Sequence, residues 1–562
     1  MPTLEWRDVK IAYRSSRTAG TNSLVAVDGV NLRVEPGDTV GIAGESGCGK
    51  STLAVSALRL LPKTARVTGE ILIDDEDLEA MKWGRVRAVR WTEAAIVFQG
   101  AMHSLNPVRK VGTQIAEALE LHSGSEWNSD AKRSKRVAEL IALVDLPVAK
   151  AESYPHELSG GQKQRIMIAM ALACDPDIII ADEPTTALDV VVQAQVLQVL
   201  TNLVRERNLS LVMISHDLAV LAAVCERIVV MRHGKIVEEG LSAEVVANPQ
   251  HEHTKELAAA FPTIGDPASR LKVGRRHRGG SDAESPAGNE SEADASLAEP
   301  GRVLLEVRDL QVQFSSRGHV VNAVDNVNLA CRQGEIVALV GQSGSGKTTL
   351  ARTILGLQQP TAGQVLFDGE PMPRNQRALK AYRRKVQFIL QDPSGSLNPK
   401  QTVYESVAEG PMIHKLPGNL DERVARALTR AELTPPEEFY GSIPAELSGG
   451  QRQRVVIAGA LALDPEYLVA DEPVASLDAS VRGEVLALFL QLRRELGLGA
   501  LVITHDLGLA WNIAERVVVM KDGRIVEDGP VEQVLLDPQH DYTKTLLKVV
   551  PSGLGSRWRE KV

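Results

Sequence analysis

The feature that most constrains this 562-residue sequence is an internal repeat. The segment GESGCGKST at 44–52 returns as GQSGSGKTT at 341–349, an offset of 297. The segment LSGGQKQR at 158–165 returns as LSGGQRQR at 447–454, and this second offset of 289 then holds without a gap through Pro262 and Pro551. Such a repeat predicts two copies of one domain, rather than the three or four domains that length alone suggests.

The repeat divides the chain into three predicted segments. The first domain covers residues 1–264 and the second covers residues 302–562. Residues 265–301 between them are rich in small and charged residues and poor in large apolar ones. Because such a segment buries too little surface to offset its ordering entropy, it is predicted to be a flexible linker. Its basic run, Lys272–Arg278, is alternatively a candidate contact for acidic lipid headgroups.

Composition limits the class of protein. Hydrophobic residues make up 44% of the chain and charged residues 24%, as in ordinary globular domains. The net charge of −9 provides no overall field that would attract nucleic acid. The four cysteines lie far apart in sequence, so neither a metal site nor a disulfide framework is predicted. The first residues lack a basic region followed by an apolar one, so no signal peptide is expected. No run reaches 18 apolar residues, so we expect other subunits to supply any membrane-crossing part.

Short, continuously apolar runs predict a parallel sheet that is covered on both faces. In each copy one run enters a glycine loop, one ends in acidic residues and one ends at a histidine. These runs are Thr39–Ala43, Ile178–Ala181 and Leu211–Ser215, with Ile336–Val340, Leu468–Ala470 and Leu501–Thr504 as their counterparts. Because ligands bind at the carboxyl ends of such strands, the polar residues at these ends are predicted to share one site.

Each copy contains Gly-x4-Gly-Lys-[Ser/Thr] between a predicted strand and helix, the pattern of a phosphate-binding loop. Glycines let successive backbone N–H groups converge on phosphate oxygens, and the helix dipole adds to the attraction. The lysines are predicted to bridge the β- and γ-phosphates, and the Ser51 and Thr348 hydroxyls to ligate Mg²⁺. The loop residues predicted to bind ATP are Gly44, Glu45, Ser46, Gly47, Cys48, Gly49, Lys50, Ser51 and Thr52, with Gly341, Gln342, Ser343, Gly344, Ser345, Gly346, Lys347, Thr348 and Thr349.

An acidic pair follows an apolar run in both copies. Asp182 and Asp471 are predicted to bind ATP through Mg²⁺, and Glu183 and Glu472 to orient or deprotonate the attacking water. A histidine follows 34 residues after each of these aspartates, also at a strand end. His216 and His505 are therefore predicted catalytic residues that contact the γ-phosphate and the water.

Cys48 stands in the first phosphate loop where the second copy has Ser345. A thiol near a helix N-terminus is expected to have a lowered pKa. Cys48 is therefore expected to react with maleimide and to be protected by ATP. The alternative is an inert side chain that only fills the position of a serine.

The Leu-Ser-Gly-Gly-Gln segments have no role in an ordinary phosphate-loop enzyme. With the residues above, they make the sequence resemble the ATP-binding subunits of ABC transporters over both repeats. The resemblance implies an α/β fold with two P-loop NTPase (ABC-type) nucleotide-binding domains. Each domain would have a RecA-like core, an antiparallel β subdomain and a helical subdomain. Two ATP molecules would lie between the two domains of the chain, which face head to tail.

The resemblance also implies roles outside the phosphate loops. The signature residues that would grip the ATP held by the other domain are Ser159, Gly160, Gly161 and Gln162, with Ser448, Gly449, Gly450 and Gln451. Their backbone N–H groups would open a helix with its positive dipole end towards the phosphate. Asp189 and Asp478 match the acidic loop that crosses the domain interface.

Two further pairs complete the implied site. Gln99 and Gln391 match the catalytic glutamine that touches Mg²⁺ and relays to the membrane subunits, although Gly-Ala-Met follows Gln99 where Asp-Pro-Ser follows Gln391. The implied magnesium ligands are Ser51, Gln99 and Asp182, with Thr348, Gln391 and Asp471. Tyr13 and Phe314 match the aromatic residue that stacks on adenine, with an ordinary core position on a strand as the alternative.

The ends of the two copies narrow the subfamily. Asn248–Leu257 and Asp537–Leu546 resemble the C-terminal extension of peptide and nickel importer ATPases, and the SLNP segments at 104–107 and 396–399 are similar to the same group. The extension lacks the clustered cysteines of an iron–sulfur site. A zinc or other metal site at His251 and His253 is not expected, because the second copy has Tyr542 opposite His253.

The resemblance therefore implies an ATPase that drives dipeptide or oligopeptide uptake, with Mg²⁺ accompanying ATP. Its partners would be two transmembrane permease subunits and an extracellular or periplasmic binding protein, and it would lie at the cytoplasmic face of the membrane. Nickel and glutathione remain alternative cargoes. A soluble tandem-ABC translation factor is disfavoured by the helix-breaking linker and by Thr-Ala-Leu-Asp at 186–189. An exporter half is a further alternative, whereas a DNA-repair ATPase lacks support from the cysteine spacing.

Overall fold

The computed structural model describes residues 1–14, 23–98, 104–122, 127, 129–186, 188–259, 264–271, 301–316, 319–475 and 477–549. The chain forms two compact units, one made mainly of Met1–Phe261 and one mainly of Pro262–Leu477 and Val481–Val550. Each unit contains one copy of the repeat. Among the described residues, no helix has both the length and the apolar character that a bilayer crossing requires.

The first unit combines ten strands with nine α-helices among its described residues. Its strands are β1 (Leu4–Arg14), β2 (Ser23–Val34), β3 (Thr39–Ala43), β4 (Ala65–Ile73), β5 (Glu76–Asp77), β6 (Ala94–Val97), β7 (Ile178–Asp182), β8 (Ser210–Ile214), β9 (Arg227–Arg232) and β10 (Lys235–Leu241). Its helices are α1 (Lys50–Ser56), α2 (Trp83–Thr92), α3 (Val111–His122), α4 (Asp130–Leu143), α5 (Gly160–Ala171), α6 (Val190–Glu206), α7 (Leu218–Val224), α8 (Ser242–Ala247) and α9 (Glu252–Ala259).

The second unit follows the same order in its described residues, with the short helix Pro393–Ser396 in addition. Its strands are β11 (Val303–Ser316), β12 (His319–Arg332), β13 (Ile336–Val340), β14 (Ala362–Phe367), β15 (Glu370–Pro371), β16 (Val386–Ile389), β17 (Tyr467–Asp471), β18 (Gly499–Thr504), β19 (Arg516–Lys521) and β20 (Arg524–Pro530). Its helices are α10 (Lys347–Ile354), α11 (Gln376–Lys385), α12 (Pro393–Ser396), α13 (Val403–His414), α14 (Leu420–Arg430), α15 (Gly449–Leu461), α16 (Ala479–Leu496), α17 (Leu507–Ile513), α18 (Val531–Leu536) and α19 (Asp541–Val549).

Each unit contains two sheets with the same topology. A four-stranded antiparallel sheet has the order β2-β1-β4-β5 in the first unit and β12-β11-β14-β15 in the second. A six-stranded sheet has the order β10-β9-β3-β8-β7-β6 and, in the second unit, β16-β17-β18-β13-β19-β20. Five of its strands run parallel, and only the hairpin at one edge is antiparallel.

The parallel strands that lead to the site are apolar except at their ends, because both of their faces are covered. β3, β7 and β8 are almost entirely buried, and β13, β17 and β18 repeat this pattern. In the first unit, one core lies beneath the antiparallel sheet, and a second joins the helices α3, α4 and α5 to the parallel sheet. The predicted apolar runs thus match the observed strands to within a residue or two. Their carboxyl ends share one edge of each sheet.

A short segment at residues 264–271 packs within the second unit. Arg270 forms an ion pair with Glu532 at 2.6 Å and donates to the carbonyl oxygen of Ala514 at 2.8 Å. Its guanidinium lies 5.3 Å from the ring centre of Trp511, whose indole N–H donates to the carbonyl oxygen of Asp266 at 3.3 Å. The first residues of the predicted linker therefore have defined contacts, whereas residues 272–300 lie outside the described part of the chain.

Candidate active site

The phosphate loops connect β3 to α1 and β13 to α10. Gly49 and Gly346, just before the helices, have φ angles of 106° and 102°, which disfavour any other residue. A Cβ atom on Gly346 would lie 2.1 Å from the carbonyl oxygen of Ala323, and one on Gly49 would lie 2.2 Å from that of Ala26. Only glycine at these two positions therefore allows the phosphate loop to pack against the neighbouring strand.

The loop lysines are buried and fold back over their own loops. Nζ of Lys347 donates to the carbonyl oxygens of Gly341 at 2.7 Å and Gln342 at 2.8 Å. Nζ of Lys50 makes the equivalent bonds to Gly44 and Glu45, both at 2.7 Å. Because a buried ammonium group needs acceptors, these carbonyl oxygens hold the positive charge over the loop. That charge is suited to a phosphate.

The loop hydroxyls face the aspartates at the ends of β7 and β17. Oγ of Ser51 donates to Oδ1 of Asp182 at 3.1 Å. Burial raises the pKa of Asp182, and the Ser51 hydrogen bond opposes that shift. Burial likewise raises the pKa of Asp471, against a hydrogen bond from Thr348. A hydroxyl and a carboxylate at one sheet edge are the hard oxygen donors that Mg²⁺ prefers, so the residues present fit that ion.

In the second unit, three predicted catalytic residues come together. Nδ1 of His505 lies 2.8 Å from Oε1 of Glu472, and Nε2 of Gln391 donates to Oε2 of the same carboxylate at 2.7 Å. Burial favours a raised pKa for Glu472, but the hydrogen bond and charge of His505 bring it below its ordinary value. Burial conversely favours a lowered pKa for His505, but the hydrogen bond and charge of Glu472 bring that pKa above its ordinary value. The Glu472 carboxylate is therefore ionised at neutral pH.

The first unit holds its glutamate differently. Oε1 of Glu183 lies 3.7 Å from Nδ1 of His216, and the hydroxyl of Thr186 donates to Oε2 at 2.8 Å. Burial favours a raised pKa for Glu183, but His216 and then Thr186 lower it to about 2. Gln99 lies outside the described residues. Glu183 and Glu472 both adopt left-handed backbone angles, with φ of 44° and 46°, a strained conformation that often occurs at functional sites.

The Ser-Gly-Gly-Gln segments open helices α5 and α15. Ser159 caps α5 by accepting from the N–H of Gln162 at 3.3 Å, while Gln162 accepts from the N–H of Ser159 at 3.1 Å. Ser448 and Gln451 form the same reciprocal pair at 3.2 and 2.9 Å. Such a capping box fixes the helix start and leaves the first helical N–H groups directed outwards.

The remaining predicted residues lie at the ends of other elements. Tyr13, near the end of β1, is half-buried, and its hydroxyl lies 3.4 Å from Oγ1 of Thr52 beside the phosphate loop. Phe314 on β11 is 44% exposed, which excludes an ordinary core position. Asp189 caps α6 by accepting from the N–H of Val192 at 3.0 Å, and Asp478 directly precedes α16.

Comparison with known proteins identifies the family. A family model described as ABC transporter matches residues 27–186 and 324–475, more than half of the chain. The chain belongs to the ABC transporter family. A second model, the C-terminal region of oligopeptide/dipeptide transporters, matches residues 526–561 of this ABC protein.

Curated relatives match nearly the whole ABC chain. The glutathione import ATP-binding protein GsiA of Salmonella paratyphi A is 41% identical over 554 residues, covering 95% of this chain and 88% of its own. The protein of the same name from Escherichia coli K12 is 39% identical over 553 residues with the same coverage. The solved structure of cbiO1 from Clostridium perfringens matches 42% of this chain and 92% of its own, with 31% identity and a TM-score of 0.39.

These matches confirm the expected α/β fold with two ABC nucleotide-binding domains, and the expected role as the ATP-hydrolysing subunit of an ABC importer. The assignment of individual site residues and the domain boundaries stay predictions.

The expectation for Cys48 is wrong in one respect. Burial raises the pKa of its thiol, although nearby Lys50 acts in the opposite direction. Cys48 is only 7% exposed, with Sγ 3.8 Å from Nζ of Lys50. The helix N-terminus and the lysine therefore do not overcome the cost of removing a thiolate from water.

Two side chains that contact the site were missed as site residues. Thr186 binds the Glu183 carboxylate, and the hydroxyl of Tyr542 accepts a hydrogen bond from a phosphate-loop N–H. Both positions differ between the repeats, with Ala475 opposite Thr186 and His253 opposite Tyr542. A position-by-position comparison of the two copies is the signal that could have found them.

Proposed function

We propose that each nucleotide-binding domain holds one ATP and hydrolyses it to ADP and phosphate. The observation that carries the proposal is the convergence of Gln391, Glu472 and His505 at the sheet edge that also carries the Lys347 loop. Lys347 would neutralise charge on the β- and γ-phosphates, and Thr348 and Asp471 would hold Mg²⁺ with Gln391. When bound, Mg²⁺ would neutralise phosphate charge. The first domain would use Lys50, Ser51, Asp182, Glu183 and His216 in the same roles.

In the proposed reaction, a water oxygen attacks the γ-phosphorus as the bond to the β–γ bridging oxygen breaks. Glu472 accepts a hydrogen bond from that water and takes its proton, and the products are ADP and inorganic phosphate. His505 orients the carboxylate through its contact at 2.8 Å.

We further propose that each site is completed by the signature helix of the other domain. Ser448 and the N–H groups that open α15 would bind the γ-phosphate held by Lys50, and Ser159 would serve the site of Lys347. The capped, outward-directed helix starts support this role, because they offer hydrogen-bond donors and a positive dipole end. Asp189 and Asp478 would lie at the interface, and Tyr13 and Phe314 would stack on adenine.

The proposed cargo is a peptide. The match to the oligopeptide/dipeptide transporter region and the similarity to glutathione import proteins both support it, since glutathione is itself a short peptide. The partners would be two permease subunits and an extracytoplasmic binding protein, with this chain held at the cytoplasmic face of the membrane through the permeases.

The test is transport by the chain assembled with its permeases in proteoliposomes. ATP hydrolysis and uptake of labelled dipeptides, oligopeptides and glutathione are measured with and without the binding protein. We expect one peptide class to be taken up only with ATP, and the Glu183→Gln/Glu472→Gln double variant to abolish uptake. ATP-driven uptake of nickel in the absence of any peptide uptake would contradict the proposed cargo.

A further inference from the structure

The C-terminal extension of the second domain contacts its phosphate loop. The hydroxyl of Tyr542, on α19, accepts a hydrogen bond from the backbone N–H of Gln342 at 3.0 Å. Gln342 directly follows Gly341, and its carbonyl oxygen accepts from Nζ of Lys347 at 2.8 Å. Gln342 is thus held at its N–H by the extension and at its carbonyl oxygen by the lysine of its own loop.

The tyrosine that makes this contact is itself held in place. Its side chain is 7% exposed, and Nζ of Lys521 lies 5.2 Å from the ring centre. The turn before α19 is tied to β20, because the carboxylate of Glu527 accepts the N–H groups of Gln539 at 2.7 Å and His540 at 3.2 Å. These contacts therefore hold the Tyr542 hydroxyl in a fixed position.

The first domain holds the start of its extension in the same way, but it has a different side chain at the position of Tyr542. Glu238 accepts the N–H groups of Gln250 and His251, both at 2.9 Å, so α9 begins as α19 does. The position of Tyr542 is taken by His253, which is 1% exposed and lies 3.4 Å from Glu256 through Nδ1. Within the described part of the chain, Nε2 of His253 has no hydrogen-bond partner.

We propose that Tyr542 is a positioning residue for the second phosphate loop, and that the two ATP sites are therefore unequal. The proposal rests on the proposed function, since it assumes that ATP binds the loop of Lys347. A loop already fixed at Gln342 loses less freedom when it closes around phosphates, so it binds ATP more tightly. Among the residues that the structure describes, no such bond joins the first loop to its extension. The C-terminal extension, which is typical of the subfamily, thus strengthens ATP binding at the second site only.

The test measures ATP affinity at each site separately. The full-length chain is photolabelled with 8-azido-ATP and Mg²⁺ over a range of concentrations, and labelled peptides from each repeat are quantified by mass spectrometry. Tyr542→Phe removes only the hydroxyl. We expect it to raise the Kd of the second site by up to about 5-fold, the factor equivalent to the roughly 1 kcal/mol that one hydrogen bond contributes to holding the free loop. The Kd of the first site should be unchanged.

Matched variants separate positioning from a general structural role. His253→Phe changes the equivalent residue and should leave the Kd of the first site unaltered, and Tyr404→Phe removes a hydroxyl that binds Asp421 in the helical region. Tyr542→His converts the second extension to the first type and should reproduce the loss if Tyr542→Phe fails to fold. An unchanged second-site Kd in a folded Tyr542 variant, or an equal change at both sites, would overturn the proposal. Absence of saturable labelling in the unmodified chain would instead refute the proposed ATP sites.

Discussion

Nδ1 of His505 lies 2.8 Å from Oε1 of Glu472, whereas the equivalent atoms of His216 and Glu183 are 3.7 Å apart. The shorter contact brings histidine and glutamate within hydrogen-bond distance in the second unit. In the first unit, Thr186 makes the close contact to the carboxylate instead, at 2.8 Å. Each glutamate thus has a side chain 2.8 Å from its carboxylate, His505 for Glu472 and Thr186 for Glu183. The two sites resemble each other in composition more closely than in geometry.

Replacing either glutamate by glutamine should preserve ATP binding and reduce turnover steeply. Glutamine keeps the shape of Glu183 or Glu472 but cannot accept the water proton, and loss of a general base typically costs about 10²–10⁴ in rate. The double variant should retain ATP without hydrolysing it. ATPase rate and retained nucleotide in the assembled transporter provide the measurement. Normal hydrolysis in both single variants would remove the glutamates from their proposed role.

Replacing Gly450, the second glycine of the signature segment, by alanine should destabilise the fold. In helix α15, alanine at position 450 would gain about 1 kcal/mol of helix propensity. However, its Cβ atom would lie 2.3 Å from Cγ1 of Val481, and such overpacking costs about 1–3 kcal/mol. We therefore expect Gly450→Ala to lower the free energy of unfolding in urea titration.

Gly459→Ala in the same helix is the matched control, because its added Cβ would meet only the carbonyl oxygen of Ser406, at 4.0 Å. That variant should be stabilised. Adding Val481→Ala to Gly450→Ala should remove the part of the stability loss that comes from the steric clash. Equal stability of Gly450→Ala and Gly459→Ala would contradict the packing argument.

The parts of the molecule that were predictable from sequence are those determined by short segments. The apolar runs predicted β3 and β13 with their observed ends, because a strand buried on both faces must be apolar throughout. The phosphate loops were predictable for a similar reason, since glycine is required wherever the backbone turns against a neighbouring strand.

The remainder depends on residues that are distant in sequence. The pKa of Cys48 follows from how deeply the fold buries it, which the loop sequence alone does not contain. The contact of Tyr542 with Gln342 joins residues 200 positions apart. The docking of Arg270 against Trp511 and Glu532 lies in a segment whose composition resembles a linker. Composition describes the average tendency of such a segment, whereas a single arginine and its partners decide its local structure.

The segment at residues 264–271 should depend on Arg270. Its ion pair with Glu532 and its contact with the Trp511 ring are together worth about 1 kcal/mol. Arg270→Ala should therefore accelerate hydrogen exchange of the Trp511 indole N–H, which binds the carbonyl oxygen of Asp266. Arg524→Ala breaks a comparable exposed ion pair, with Asp325 at 2.6 Å, and serves as the control. Equal exchange in both variants would show that Arg270 does not hold the segment.

The proposal that each signature helix completes the ATP site of the other domain makes the most specific prediction. If Ser448 completes the site built on Lys50, then Ser448→Arg should disable that site although the two residues belong to different repeats. Loss of one preorganised donor to the reacting phosphate typically costs about 10²–10³ in rate, and an arginine side chain would also obstruct closure. By the same logic, Ser159→Arg should disable the site of Lys347.

The measurement is vanadate trapping of nucleotide in the assembled transporter, with each site identified by photolabelling and mass spectrometry of its peptides. The variants Ser448→Arg and Ser159→Arg act as controls for each other, because each should affect trapping at the opposite loop first. Hydrolysis at the two sites is expected to be coupled, so the initial rate of trapping at each loop is compared rather than the end point. If Ser448→Arg spared trapping at Lys50 and abolished it at Lys347, each domain would complete its own site. The shared-site proposal would then be wrong, while the chemistry assigned to each glutamate would stand.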